Sequence, residues 1–340
     1  DRGIWGQSGQ KVMRTVAWDY THQQVRMVDQ RLLPGEFREV SYTSYDQVAQ
    51  AIQQMVVRGA PAIGAAAAFG MALAAYASTA RGIDAFQKDM AKAAQVLEAA
   101  RPTAVNLAWA IARILGVIEG VEAGDIEDLR VAVLAEAQNI ADQDVLINEQ
   151  MATYGANLMG ENEIVIHHCN TGALATVDWG TALGVIRKAH EQGKNPHVLV
   201  DETRPRLQGA RLTAWELEKY QVSYEIITDN SAGYFLATGK VARVLVGADR
   251  VAANGDVANK IGTYMLALAA SDNQVPFYAV VPTSTVDLAL AQGKQIPIEE
   301  RDPEEVLDIR FQGQQASPDT AKARNPAFDV TPHRLITAII

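Results

Sequence analysis

Short strand-like runs alternate with helix-like stretches over the second half of the chain, and this order constrains the fold more than any other feature. Each run is apolar and rich in β-branched residues, and most are followed by residues at helical spacing. In chain order the runs are EIVIHH, HVLVDE, SYEIIT, RVLVGAD and PFYAVV. Strands that alternate with helices form a parallel sheet with helices on both faces. We therefore predict an α/β fold with a Rossmann-like domain over residues 156–340.

The first part of the chain has a different pattern. Short strand-like runs, RTVAWDY and QVRMVDQ, give way to helical spacing that begins at SYDQVAQAIQQMVV and recurs up to about residue 159. A chain of 340 residues is long enough for about two domains. We predict a mostly helical N-terminal domain over residues 1–155, in which a few strands precede the helices.

Polar residues follow every predicted strand of the second domain. Cys169 and Asn170 follow the first strand, and Asp249 follows the fourth. Because ligands of parallel sheets bind beyond the carboxyl ends of the strands, these residues are expected to line one crevice. Strand ends are commonly polar for other reasons, but a thiol and a carboxylate directly after apolar strands favour chemistry there.

Cys169 and Asp249 each have a structural alternative. A single cysteine is often a small buried apolar side chain, and Asp249 could cap a loop or pair with Arg250. As functional groups, a tuned thiol and a carboxylate at the end of an apolar strand suit acid–base or nucleophilic chemistry. A zinc site is not expected, because His167, His168 and Cys169 point alternately to opposite faces of an extended chain and lack partners at ligand spacing.

Two arginines precede predicted helices at which a proline stands close to the start. Arg58 lies in VVRGAPAIG, where Gly59 frees the backbone and Pro61 can begin a helix, and Arg101 lies in ARPTAVN. An arginine beside the free N–H groups of a helix start forms a phosphate site. Each alone would be an ordinary surface residue. A third helix start is predicted at VANKIGTY, which would place Asn259 and Lys260 where they contact sugar hydroxyls or cap the helix.

Composition argues against several classes of partner. The net charge is -10 and no run of Lys or Arg occurs, so no nucleic-acid partner is expected. Neither G-x-x-x-x-G-K-[ST] nor G-x-G-x-x-G is present, which disfavours nucleotide cofactors. The longest apolar stretch is short and mostly alanine, so we expect a buried helix and no membrane partner.

The cysteine content bears on the compartment. A single cysteine cannot form an internal disulfide, which favours a reducing, cytoplasmic setting. We identify no targeting segment.

Taken together, these motifs resemble the methylthioribose-1-phosphate isomerases of methionine salvage. The resemblance extends over nearly the whole chain, in VVRGAPAIGAAAA, RPTAVNLAWA, HHCNTGALAT, VDETRPRLQGARLTAWEL and VGADRVAANGDVANKIGTY. This family shares its fold with regulatory subunits of the eukaryotic initiation-factor guanine-nucleotide exchange complex. The resemblance implies a homodimer, a Rossmann-like C-terminal domain, and neither a metal nor a nucleotide cofactor.

The resemblance also implies roles for particular residues. Cys169 in CNTG and Asp249 in GADR match the catalytic pair of the family. The matches to its substrate-binding residues are Arg58, Gly59, Ala60, Arg101, Gln208, Asn259 and Lys260. Two positions depart from the usual pattern, since Ser231 stands where a methionine is expected and His167 where a smaller residue is common.

The implied reaction converts 5-methylthioribose 1-phosphate into 5-methylthioribulose 1-phosphate, an aldose–ketose isomerisation. Because Ser231 and His167 depart from the pattern near the proposed crevice, the 5-substituent stays open, with 5-deoxyribose 1-phosphate and ribose 1,5-bisphosphate as alternatives. A non-catalytic regulatory subunit of the same fold is the alternative outside enzymes.

Overall fold

The computed structural model describes residues 14–120 and 125–340 and divides them into two compact units. The first unit contains the described residues up to Ala156 together with Thr171–Lys188 and Pro282–Thr285. The second contains Asn157–Asn170, Ala189–Val281 and Val286–Ile340. The chain thus passes between the units more than once, whereas the sequence predicts two consecutive domains, 1–155 and 156–340, and that division stays a prediction.

The first unit contains a small antiparallel sheet followed by helices, in the predicted order. Its strands are β1 (Val16–Asp19), β2 (Gln24–Val28) and β3 (Glu39–Tyr42), and β2 pairs with both neighbours. Its helices are α1 (Tyr45–Gln53), α2 (Ala60–Ala77), α3 (Ile83–Ala100), α4 (Val105–Gly120) and α5 (Ile126–Asn157). Ser44 starts α1 by accepting a hydrogen bond from the backbone of Gln47, as expected for a serine cap.

The alanine-rich helix α2 is the centre of the first unit. Among the described residues it is the one helix long and apolar enough to cross a membrane, but 78% of it is buried inside the protein. Its small side chains let β1, β2, α3 and α4 approach closely, and Phe69 packs against Trp18 of β1. The predicted buried helix is therefore present, and its apolar side chains pack in the core of the first unit.

The second unit is built on a six-stranded parallel sheet. Its strands, given from one edge to the other, are β15 (Ala338–Ile339), β10 (Phe277–Ala279), β7 (Val241–Val246), β4 (Ile164–His167), β5 (His197–Asp201) and β6 (Ser223–Ile227). All pairs are parallel. Five of the strands are those predicted, and the α/β fold class is confirmed. The edge strand β15 has only two residues and was not predicted.

The connections of this sheet are mostly helical. They contain α6 (Ala182–Glu191), α7 (Ala214–Tyr220), α8 (Ala232–Ala237) and α9 (Thr263–Asp272). A π-helical turn, Gly209–Thr213, leads into α7. Leu236 of α8 and Leu266 of α9 join the apolar residues of β7 and β10 in one core.

The segment between β7 and α9 differs from the prediction, which had a loop there and a helix start at Asn259. It contributes two strands, β8 (Arg250–Ala252) and β9 (Val257–Lys260), to a second sheet. The other two strands of this sheet come from later in the chain and are β11 (Val286–Asp287) and β14 (Phe328–Thr331). Asn259 and Lys260 therefore lie on a strand, and α9 begins three residues after Lys260. Four antiparallel residue pairs with β14 hold β9 extended, and this long-range pairing is invisible in local sequence.

The remaining elements are small. They are the short helix α10 (Glu304–Leu307) and the hairpin strands β12 (Arg310–Phe311) and β13 (Gln314–Gln315).

Candidate active site

The strand order of the parallel sheet creates a switch point between β4 and β7. From β4 the chain proceeds to β5 and then β6 on one side, and it returns to β7 on the other side of β4. Ligands of open α/β sheets bind beyond the carboxyl ends of the strands where the order reverses in this way. Cys169 lies two residues after β4 and Asp249 three residues after β7. The two predicted catalytic residues therefore follow the two strands that flank the switch point.

Cys169 is held at this position by its own backbone. The residue is 7% exposed and has a left-handed backbone with φ of 68°. Its N–H donates to Oγ1 of Thr203 at 2.9 Å, and its carbonyl accepts from Oγ1 of Thr213 at 2.6 Å. Both threonines are fully buried. The thiol-bearing residue is thus fixed by contacts to the segments that follow β5.

Asp249 is half-buried and begins the hairpin of β8 and β9. Its N–H donates to the carbonyl of Ala258 at 2.9 Å, one residue before Asn259. The structure therefore brings Asp249 and the predicted substrate-binding residues Asn259 and Lys260 to the same hairpin.

Asn259 and Lys260 are both buried, with 4% and 8% exposure. The Asn259 side chain donates to Oγ1 of Thr263 at 3.0 Å. The Lys260 ammonium donates to the carbonyl of Ala327 at 2.8 Å and lies 4.4 Å from the ring centre of Phe328. These contacts hold an amide and a positive charge in fixed positions, as a polar ligand requires.

Gln208 stands at the start of the π-helical turn after β5. It is 6% exposed, and its Oε1 atom has no hydrogen-bond partner among the described residues. A buried carbonyl oxygen without a partner costs free energy that a hydroxyl donor from a ligand would recover. Gly209 makes this position possible, because a Cβ atom there would lie 1.7 Å from the carbonyl oxygen of Asp201.

A buried histidine–aspartate pair lies next to Cys169. Nδ1 of His168 is 2.8 Å from Oδ2 of Asp201, and Nε2 is 2.9 Å from the carbonyl of Ile261. Burial favours the neutral ring, but the hydrogen bond to Asp201 and the charges of Asp201 and Asp229 outweigh it and raise the pKa of His168. Burial likewise raises the pKa of Asp201, against the hydrogen bond from His168. The two side chains therefore shift each other's pKa values across one short hydrogen bond.

The same pair belongs to the one group in the described part of the chain with the donor set for a cation. His168, Asp201 and Asp229 offer ligand atoms within 4.8 Å of one another. Both ring nitrogens of His168 hold hydrogen bonds, and the two carboxylate oxygens of Asp229 accept from the N–H groups of Thr203 and Arg204. The cluster is arranged to fix the loop after β5, and a cation would have to displace these bonds.

His167, one of the two departures from the family pattern, is fully buried and contacts backbone. Its Nδ1 is 2.9 Å from the carbonyl of Leu245 on the neighbouring strand β7. Burial lowers the pKa of His167 to about 3, so the ring is neutral. A neutral ring that hydrogen-bonds to Leu245 ties β4 to β7 just below the switch point.

Ser231, the other departure, caps a turn. Its N–H and hydroxyl both donate to the carbonyl of Thr228, at 2.9 Å and 2.8 Å.

Arg58, Gly59 and Ala60 lie at the start of α2 in the first unit, as predicted. Gly59 has φ of 96°, and a Cβ atom there would lie 2.3 Å from the carbonyl oxygen of Ala175, so only glycine fits. Ala60 is the first residue of α2, with Pro61 behind it. Arg58 is half-buried directly before this helix start.

Arg101 is half-buried and ends α3, four residues before α4 begins. The N-terminal parts of α2 and α4 are in close contact, because a Cβ atom on Gly64 would lie 2.9 Å from the carbonyl oxygen of Asn106. Within the first unit the structure therefore places the two arginines at neighbouring helix starts. Two such starts direct N–H groups and positive dipole ends towards an anion.

The sequence predicted candidate residues at the strand ends of the parallel sheet and at the helix starts of the first unit. It did not identify the residues that hold Cys169 in place. His168, Asp201, Thr203, Thr213 and Asp229 hold the segment around Cys169, and none was selected as a functional residue. The one signal available was that Asp201, Thr203 and Asp229 lie at the ends of predicted strands. The bonds of Asp201 and Thr203 to His168 and Cys169 span more than 30 residues of sequence, so local sequence does not show them.

Comparison with known proteins gives consistent matches over almost the full chain. The model of the initiation factor 2 subunit family matches residues 56–340. A curated relative from Synechococcus sp., methylthioribose-1-phosphate isomerase, is 52% identical over 94% of this chain and 91% of its own length. The crystal structure of 5-methylthioribose 1-phosphate isomerase from Pyrococcus horikoshii OT3 is 46% identical, with a TM-score of 0.88 over 97% of this chain and 91% of that one. A structure described as translation initiation factor eIF-2B, subunit delta, from A. fulgidus is 41% identical, with a TM-score of 0.83 over 97% and 94%.

Proposed function

We propose, from the premise that this chain belongs to the initiation factor 2 subunit family and within it to the methylthioribose-1-phosphate isomerases, that it converts 5-methylthioribose 1-phosphate into 5-methylthioribulose 1-phosphate in methionine salvage. The chain is thus an aldose–ketose isomerase, an enzyme that moves hydrogen within one sugar phosphate. The observation that carries the assignment is about 50% identity to relatives of this name over nearly the whole chain, among them one from Thermosipho africanus at 51%.

We propose Cys169 and Asp249 as the catalytic pair. Their positions after the two strands that flank the switch point support this assignment, as does the tight support of the Cys169 backbone. Gln208, Asn259 and Lys260 bind the sugar. The partnerless Oε1 atom of Gln208 supports a role in accepting a hydrogen bond from a sugar hydroxyl.

Arg58, Gly59, Ala60 and Arg101 bind the phosphate group. The neighbouring starts of α2 and α4 supply N–H groups, and each arginine adds a guanidinium that can donate two hydrogen bonds to phosphate oxygens. Binding a group that does not react fixes the position of the carbons that do, which lowers the entropic part of the barrier.

The reaction requires ring opening of a sugar whose anomeric oxygen carries phosphate. Asp249 in its acid form donates a proton to the ring oxygen as the bond from that oxygen to C1 breaks. The Cys169 thiolate removes the proton from C2, which forms the enol. The Asp249 carboxylate then takes the proton from O2 while Cys169 returns its proton to C1, so the ketose forms and both groups regain their starting states.

A direct hydride shift from C2 to C1 is the competing route, in which both residues only polarise oxygens. Substrate deuterated at C2 separates the two in water. A product that has lost deuterium to solvent supports proton transfer through Cys169. A product that retains all of the deuterium at C1 excludes exchange with solvent and favours the hydride shift.

Turnover of three purified substrates tests the function itself. We expect kcat/KM to be highest for 5-methylthioribose 1-phosphate, compared with 5-deoxyribose 1-phosphate and ribose 1,5-bisphosphate. Preference for the bisphosphate would redirect the assignment to the alternative isomerase. Absence of any ketose product would favour the regulatory subunit.

The enzyme further acts as a cytoplasmic homodimer without nucleic-acid or membrane partners. The acidic composition and the single cysteine support this setting. Sedimentation of the purified chain tests the dimer, which predicts twice the mass of 36.8 kDa.

A further inference from the structure

The backbone of Cys169 is in a conformation that a cysteine rarely adopts. Its φ of 68° lies in the left-handed region, where the Cβ atom crowds the following carbonyl. A residue without glycine's freedom stays in this region only when its surroundings hold it there, and such residues concentrate at functional sites. The conformation of Cys169 therefore requires contacts that hold it.

Two buried hydroxyl groups hold the two peptide groups that flank the Cys169 Cα atom. Oγ1 of Thr203 accepts from the N–H of Cys169 at 2.9 Å and donates to the carbonyl of Asp201 at 2.9 Å. Oγ1 of Thr213 donates to the carbonyl of Cys169 at 2.6 Å and accepts from the side chain of Asn170 at 3.3 Å. Each hydroxyl thus donates one hydrogen bond and accepts one, and these two bonds fix its orientation.

The first of these threonines is itself unusual. Thr203 has φ of 65°, although a β-branched residue strongly avoids the left-handed region. Asp229 fixes this turn, because its two carboxylate oxygens accept from the N–H groups of Thr203 and Arg204 at 2.7 Å each. Asp229 thus holds Thr203 in its strained backbone conformation, and this conformation places the Thr203 hydroxyl at the N–H of Cys169.

We propose that Thr203 and Thr213 are positioning residues that hold Cys169 in the left-handed conformation and thereby direct its thiol at the substrate. The inference rests on the proposed catalytic role of Cys169. The direction of the Cα–Cβ bond relative to the sheet follows from the backbone dihedrals, so a return of Cys169 to an ordinary φ would move the sulfur atom. Displacement of a reacting group by about 1 Å can cost on the order of 10²-fold in rate.

Isosteric substitution removes the hydroxyl groups while retaining the volume. We expect Thr203→Val and Thr213→Val each to lower kcat at least tenfold and to leave KM within twofold, because the phosphate and sugar contacts stay in place. Thr203→Ser and Thr213→Ser retain the hydroxyl and should stay within threefold of the wild-type kcat. Should a valine variant not fold, the alanine variant at the same position takes its place.

Thr337→Val is a control in which an exposed threonine makes the same type of bond. Oγ1 of Thr337 accepts from the N–H of Phe277 at 2.9 Å, the same type of bond at the same distance, but at the start of β10 rather than after the end of a strand. Its kcat and KM should equal those of the wild type.

A second readout is independent of activity. The chain contains one cysteine, so labelling with [¹⁵N]cysteine gives a single backbone amide signal, that of Cys169. We expect exchange of this amide hydrogen to be at least tenfold faster in Thr203→Val than in the wild type, and unchanged in Thr203→Ser and Thr337→Val.

Three outcomes separate the inference from its premise. Folded valine variants with wild-type kcat, in an enzyme that Cys169→Ala inactivates, would overturn the positioning role alone. Serine variants as impaired as the valine variants would overturn it as well, since the hydroxyl would not be the group that matters. Cys169→Ala with wild-type kcat would instead refute the premise, and the amide exchange would then report a purely structural clamp.

Discussion

The two ends of the parallel sheet are built from the same strands but differ in how they satisfy polar groups. At the carboxyl ends, His168, Cys169, Asp201 and Thr203 are buried and bond to one another or to backbone, and two of the four have left-handed φ. At the amino ends, Glu163 near the start of β4 forms a two-bond ion pair with Arg243, and the polar residues 161 and 162 just before it are exposed.

This difference shows where the fold stores strain and buried polarity. At the amino ends residues 161 and 162 are exposed, and the side chains of Glu163 and Arg243 keep 16% and 11% of their surface exposed, so water can reach a group that loses its partner. At the carboxyl ends a lost partner leaves a buried donor or acceptor without a bond, and each such group is costly. A reaction that needs groups in fixed positions is therefore expected at the end of the sheet whose contacts cannot be replaced.

The proposed catalytic pair gives the largest expected contrast. Cys169→Ala should lower kcat about 10³-fold and Asp249→Asn about 10²-fold or more, because each removes a group that is proposed to move a proton. Glu163→Gln, at the amino ends, should leave kcat within twofold of the wild type. Steady-state kinetics on 5-methylthioribose 1-phosphate measure all three, and near wild-type turnover in Cys169→Ala would demote the thiol to core packing.

Two glycines near opposite ends of β5 allow the stability of the two ends of the sheet to be compared. A Cβ atom on Gly209 would lie 1.7 Å from the carbonyl oxygen of Asp201, whereas one on Gly193 meets nothing within 4 Å. We expect Gly209→Ala to lower the free energy of unfolding by about 3 kcal/mol or more through overpacking. Gly193→Ala should cost about 1 kcal/mol through its φ of 80°.

Urea denaturation measures both glycine variants. Equal losses would mean that the loop after β5 can shift to accommodate the methyl group, and that the carboxyl end is less rigid than its contacts indicate.

The buried pair of His168 and Asp201 should be more sensitive than the ion pair at the amino end. In Asp201→Asn the carboxylate charge that raises the pKa of His168 is lost, and the ring keeps both of its bonds only if the new amide turns its NH2 group towards Nδ1. We expect a loss of about 2–3 kcal/mol in the free energy of unfolding. Glu163→Gln keeps one acceptor oxygen for Arg243 and should cost about 1 kcal/mol, and a larger loss there than at Asp201 would reverse the comparison.

At neutral pH His167 predicts the smallest effect, and its contribution appears in the pH dependence of stability. The folded-state pKa of about 3 lies below the unfolded value near 6.5. Between these values the unfolded state binds the extra proton, so the free energy of unfolding decreases as pH falls, by up to about 1.4 kcal/mol per pH unit. His167→Asn should remove this slope between about pH 6.5 and 4, as measured by urea denaturation at several pH values.

The slope should survive in variants at the amino ends, and an unchanged slope in His167→Asn would mean that other groups account for the acid sensitivity.

Much of the architecture follows from local sequence. An apolar, β-branched composition predicts the strands β4, β5, β6, β7 and β10. A nearby proline predicts the helix starts that follow Arg58 and Arg101. The rule that ligands bind at strand ends then selected Cys169 and Asp249 before any contact was known. Local signals suffice here because strand propensity and helix starts are properties of a few adjacent residues.

What the tertiary structure decided are the pairings between distant segments. Pairing with β14 made Asn259 and Lys260 part of a strand, where their own sequence favours a helix start. The strand order put β7 beside β4, so Cys169 and Asp249 follow the two strands that flank a switch point. The hydroxyls of Thr203 and Thr213 reach Cys169 only because the segments after β5 return over the end of β4, and no short stretch of sequence encodes a contact that two folded segments create together.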